Sequence, residues 1–113
     1  MRQHRRVSYR YISSIRVTNR LSGDDMGYVG DLSLGGLRMV ASEPLVVGGC
    51  YEITLHVPEH GERVAEVPVT VICQWSRRDS RRGSFEMGFS LDRPAPEFSL
   101  LAQGLLKRRQ GAW

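Results

Sequence analysis

Lysine is nearly missing from this chain of 113 residues. Lys107 stands alone, and the other fifteen of the sixteen Lys and Arg residues are arginines. There is also no apolar run long enough to span a bilayer, and the basic first residues lack the apolar stretch of a secretion signal. Both absences exclude membrane insertion and predict a cytoplasmic protein. Cysteine is scarce: Cys50 and Cys73 fall in strand-like segments with no metal-ligand spacing, and read as buried free thiols of a reducing compartment. His4, His56 and His60 are scattered, with no cysteine or carboxylate cluster beside them, so no metal is expected. Neither a nucleophile elbow, a P-loop nor a paired-carboxylate arrangement is present, and Ser33 has no base at a nearby motif position. That excludes the common routes to catalysis, and the expectation is a protein that is not an enzyme. Repeats and low-complexity segments are missing too.

The length fits one domain, with 41% hydrophobic and 25% charged residues, ordinary values for a globular chain. A formal net charge of +4 favours anionic partners. The charge is uneven. Arg2, His4, Arg5, Arg6 and Arg10 crowd one short segment with no acidic residue near them, a repulsive arrangement unless an anion relieves it.

Residues 1–10 show no consistent apolar period and read as a flexible, arginine-rich arm. From Tyr11 to Asn19 β-branched and aromatic residues predict a strand, and Leu21–Asp25 predicts a turn. Tyr28–Leu32 and Leu37–Val40 are short strand candidates flanking the bend Ser33-Leu34-Gly35-Gly36. Tyr51, Ile53, Leu55 and Val57 alternate with polar residues, as a half-buried strand does. Alternation returns in Val67, Val69, Val71, Cys73 and Trp75, and again in Phe85, Met87, Phe89 and Leu91 after the polar tip Asp79–Gly83. Asp92 is placed to cap a helix over 92–110, with Phe98, Leu101 and Leu105 at helical spacing and Gly104 a weak point. Short strands joined by tight turns predict a mainly β chain: a small six-stranded antiparallel barrel over 11–91, then one C-terminal helix.

Two patterns carry chemistry. Arg-x-x-x-Arg occurs at Arg2/Arg6, Arg6/Arg10, Arg16/Arg20, Arg77/Arg81 and Arg78/Arg82, as expected in an arginine-dense chain. Asp-x-Ser-x-x-Gly occurs once, at Asp31, Ser33 and Gly36. The order selects Arg6/Arg10, because that pair lies ahead of the first strand-like segment and the acidic turn follows some twenty residues later. Guanidiniums grip phosphate oxygens and the edge or face of a purine, while a carboxylate and a hydroxyl accept from and donate to a base.

This pairing resembles the PilZ family of bacterial cyclic di-GMP receptors, whose signatures are Arg-x-x-x-Arg and Asp/Asn-x-Ser-x-x-Gly. The layout of basic arm, strands and C-terminal helix is similar over most of the chain, and Gly88-Phe89 looks like part of the family's last barrel strand. The resemblance implies a stand-alone, single-domain second-messenger receptor over 1–113. Arg6 and Arg10 would then bind cyclic di-GMP, with Asp31 and Ser33 reading the base or positioning phosphate. Gly35 and Gly36 would supply positive φ and close approach, and Arg5 would hold a second, stacked nucleotide or face solvent. Trp75 ends an alternating strand, and either lies under a guanine or caps the core. No cofactor beyond the ligand is implied. The partner is an unidentified protein that senses a ligand-ordered arm, with no DNA or RNA and a monomer or weak dimer expected. Two rival readings are a PilZ-like adaptor that binds proteins without nucleotide, and a small basic barrel for RNA or single-stranded DNA. The second needs aromatics along one exposed face, whereas Phe85 and Phe89 read as core.

Overall fold

The computed structural model describes residues 14–59 and 61–111, with side chains up to residue 105. The stretches of polar–apolar alternation become strands because each buries one face. They are β1 (Arg16–Asn19), β2 (Asp25–Ser33), β3 (Gly36–Ala41), β4 (Cys50–Pro58), β5 (Val64–Asp79) and β6 (Ser84–Leu91). Among the described residues they close into an antiparallel barrel in the order β1-β2-β3-β6-β5-β4, with β4 pairing back onto β1. Each strand thus has a neighbour on both sides over part of its length.

The predicted six-stranded barrel is therefore present. β2 and β5 are longer than expected, and β1 begins only at Arg16; Tyr11 and Ile12, where the first strand was expected to start, lie outside the described residues. The inward faces of β1 to β6 bury Val17, Met39, Leu55, Val71 and Met87 in one core. The connection between β3 and β4 ends alongside β5, where Gly48 donates its N–H to the Cys73 carbonyl at 2.7 Å.

The helix α1 spans Pro96–Gly111, so it starts four residues later than Asp92 suggested. Pro94 and Pro96 disfavour helical geometry at the residues before them, and a proline is itself well suited to the first helical position. Asp92 instead donates its backbone N–H to the Thr70 carbonyl at 2.9 Å. Phe98, Ala102 and Leu105 form the buried stripe, with Phe98 fully enclosed and Leu101 only half-buried. No helix among the described residues is long and apolar enough to cross a membrane.

One expectation about the thiols needs correction. Cys73 is buried, but Cys50 is exposed. Cys50 shares the parity of Glu52 in β4, the outward parity, while Tyr51, Ile53 and Leu55 face in.

Candidate functional site

Strict alternation would send both Asp31 and Trp75 into the core, since Val29 and Cys73, two residues before them, are fully buried. Neither goes there. In β2, Val29 faces Met39 and Asp31 faces Arg38, so Gly30 is an extra, bulged residue. In β5, Cys73 faces Phe89 and Trp75 faces Gly88, so Gln74 is extra in the same way. Each bulge reverses the parity of the strand beyond it. Asp31 and Ser33 come out on the surface while Leu32 stays buried, and Trp75 emerges 40% exposed. That decides the position of Trp75: it lies on the outer face and does not cap the core.

Both bulges are tied by side chains. The Arg38 guanidinium donates to the Gly30 carbonyl at 3.2 Å, and the Cys73 thiol donates to the Trp75 carbonyl at 3.6 Å. With the parity reset, the registers lay residues out in rows across four strands. Asp31, Arg38, Gly88 and Trp75 form one row from β2 through β3 and β6 to β5. Ser33, Gly36, Ser90 and Ile72 form the next. On the other side runs Val40, Glu86 and Arg77.

The motif turn is a two-residue link, Leu34-Gly35, between the paired Ser33 and Gly36. Neither Gly35 nor Gly36 has positive φ, contrary to the expectation. Gly36 is required for another reason: a β-carbon there would overlap the carbonyl oxygen of Phe89 in β6. The close approach that the motif glycine permits is therefore a neighbouring strand. Gly35 faces open space, and its carbonyl accepts from the Leu91 N–H at 3.1 Å, which ties the turn to β6. Ser33 donates its hydroxyl to the Gly36 carbonyl at 3.4 Å, and the Asp31 carboxylate accepts from the Leu32 N–H at 2.8 Å.

These rows line one open cleft of about 330 Å³. Asp31, Ser33, Gly35, Gly36 and Trp75 all border it, with Arg38, Gln74, Gly88 and Ser90. Five of the eight predicted site residues thus meet at one place; Arg5, Arg6 and Arg10 lie outside the described residues. A second cleft, about 420 Å³, lies around Tyr28 and Arg82 and contains none of the predicted residues. Its Arg16 is already ion-paired with Asp25 at 2.5 Å.

Sequence reasoning missed Arg38, Gln74 and Ser90. Gln74 donates its amide N–H to the Ser90 hydroxyl at 2.8 Å, bridging β5 and β6 at the cleft floor. Arg38 was legible from parity, being one residue beyond the inward Leu37, and so was Gln74, one beyond the inward Cys73; that the two border one cleft with Trp75 follows only from the strand register. Beside the cleft, Glu86 accepts from Arg77 at 2.6 Å and pairs with Arg38 at 3.7 Å. The Arg77 guanidinium lies over the Trp75 ring, 5.7 Å from its centroid. Among the described residues, no three His, Cys, Asp or Glu side chains gather as a metal site would need.

The sequence profile of the PilZ domain family matches residues 2–107. The chain belongs to the PilZ domain family. No curated protein sequence matches it. Among solved structures, the chain is similar to the inhibitor of motility MotI/DgrA of Bacillus subtilis, with a TM-score of 0.65 and 14% identity, over 86% of this chain and 46% of that one. It is also similar to the PlzA protein of Borreliella burgdorferi, solved in complex with c-di-GMP, with a TM-score of 0.57 and 16% identity, over 98% of this chain and 57% of that one. The chain thus spans about half the length of these two structures. At such identities the likeness concerns the fold alone.

Proposed function

We propose that this PilZ domain is a receptor for cyclic di-GMP. The observation that carries the reading is the convergence of Asp31, Ser33, Gly35 and Gly36 with Trp75, about forty residues away in sequence, on one cleft. The family supports it, as does PlzA, a fold relative seen with the same nucleotide.

The chemistry of the cleft suits half of such a ligand. The Asp31 carboxylate accepts from the N1–H and exocyclic amine of guanine, and the Ser33 hydroxyl serves base, sugar or phosphate. Trp75 offers an indole surface for stacking, worth about 1–3 kcal/mol per base. A cleft of about 330 Å³ sits at the lower bound of small-molecule sites, near 300 Å³, and cannot enclose a dinucleotide. A second wall is needed. The arm with Arg6 and Arg10 supplies it, gripping the phosphates through bidentate forks, and Arg5 adds a guanidinium for a second stacked nucleotide.

Binding then draws residues 2–10 over the Asp31–Gly36 turn, and the altered surface is what a protein partner reads. Calorimetric titration with cyclic di-GMP, with linear pGpG and GTP as controls, tests the reading. Selective binding should weaken roughly ten- to a hundredfold in Arg6→Ala and in Arg10→Ala, the loss of one charge-assisted fork each. Undiminished affinity in both variants would remove the arm from the site.

A further inference from the structure

The cleft face carries its own anion. Glu86 in β6 offers one carboxylate oxygen, Oε1, to two guanidiniums: Arg77 at 2.6 Å and Arg38 at 3.7 Å. Arg38 is the member that borders the cleft, next to Asp31 in its row. Its head group is held on the other side by the Gly30 carbonyl at 3.2 Å. Arg77 spreads over the Trp75 ring. In these two rows Asp31 and Glu86 match Arg38 and Arg77 in charge. Without the arm the face is close to neutral, although its ligand is a bis-phosphodiester anion.

We propose that Glu86 is an internal competitor for ligand phosphate, occupying Arg38 and Arg77 and setting the affinity of the cleft. The inference rests on the receptor reading above. Carboxylate and phosphate present similar oxygen pairs to a guanidinium fork, so each excludes the other from the same donors. The exposures favour exchange. The Arg77 side chain is 70% exposed and free to swing, whereas the Glu86 side chain is 23% exposed and stays in the sheet. A phosphate arriving at the cleft therefore recruits Arg38 and Arg77 by displacing the carboxylate, and part of the binding energy is consumed in breaking those pairs. Removing the carboxylate removes that cost and leaves the two rows with one more cation than anion.

A structural ion pair and a competing anion give opposite signs. Loss of a structural pair loosens the site, whereas loss of a competitor tightens it. The experiment is calorimetric titration of the full chain with cyclic di-GMP. Glu86→Gln should tighten binding about three- to tenfold, given the modest strength of partly exposed ion pairs. Glu86→Thr, which also removes the charge in a residue suited to strands, should tighten it too, so the outcome does not depend on one variant folding. Glu52→Gln, a control that removes an acidic partner from the surface pair with Arg20, should change nothing. In an Arg38→Gln/Arg77→Gln background the gain should disappear, because the competitor has nothing left to occupy. Wild-type binding with no gain in either Glu86 variant overturns the inference alone. A gain that persists without both arginines also overturns it, since the charge would then act at a distance. A wild-type protein that fails to bind overturns the receptor reading, and this inference with it.

Discussion

The indole of Trp75 lies across Gly88, its partner in β6, so closely that a β-carbon at position 88 would overlap the ring. A bare backbone in β6 gives the aromatic a flat seat, and the bulge at Gln74 turns Trp75 out to occupy it. The glycine and the bulge are one device, and the exposed ring at the cleft is its product.

Gly88→Ala should therefore unseat the indole. Stability should fall by about 1–3 kcal/mol, the usual cost of overpacking, with cyclic di-GMP affinity falling alongside. The double variant Gly88→Ala/Trp75→Ala should lose less stability than the two single losses added, because the second change removes the collision. Urea unfolding of the four proteins measures this, and simple additivity would show that the two residues do not share a seat.

The two motif glycines should separate cleanly. Gly36→Ala drives a methyl into the Phe89 carbonyl and should cost at least about 1–3 kcal/mol. Gly35→Ala meets nothing within 4 Å and needs no positive φ, so its stability should stay within about 0.5 kcal/mol of wild type. Equal losses at both positions in denaturant titrations would contradict this account of the turn.

How far the sequence disclosed all this differs by element. Alternation in Tyr51–Val57 and Phe85–Leu91 marks β4 and β6 because each strand is wet on one face. The Asp31–Gly36 turn is equally visible from its glycines. Strand order is not, since the pairing of β3 with β6 is set by closure of the barrel rather than by any local pattern. The site was half legible. Asp31 and Ser33 follow from the motif, but their exposure depends on the bulge at Gly30, which exists only against β3. Trp75 reads as core or site until the register with β6 is known. The Arg38–Glu86–Arg77 cluster joins residues that are neighbours only across strands.

The thiols should also differ. Burial pushes the Cys73 thiol above its ordinary pKa, while Cys50 stands exposed on β4. A maleimide at neutral pH should label Cys50 alone in the folded protein and both residues in denaturant. Native labelling of Cys73, read by peptide mass, would show that the bulge at Gln74 opens readily.

Acid should weaken one surface pair in a defined direction. The hydrogen bond from Arg16 holds the Asp25 carboxyl below its ordinary value. A lowered folded-state pKa adds stability above the ordinary carboxylate range, and that stability is lost as pH falls through the lowered value. Both side chains are at least half exposed, so the contribution is small. Arg16→Gln should be slightly less stable than wild type near pH 6, and the gap should close by about pH 2. A gap that stays constant across that range would dissociate Asp25 from the effect.

The central claim is that cyclic di-GMP sits on the outer face framed by Asp31, Arg38, Gly88 and Trp75. Its most direct test is amide chemical-shift mapping of the labelled protein during titration with the nucleotide. The account predicts the largest shifts in residues 31–38, at Gln74 and Trp75 with the Trp75 indole N–H, and in 88–90, with β1 and β4 nearly still. Shifts gathered instead around Tyr28 and Arg82, with the Trp75 indole unmoved, would place the ligand in the other cleft and contradict it.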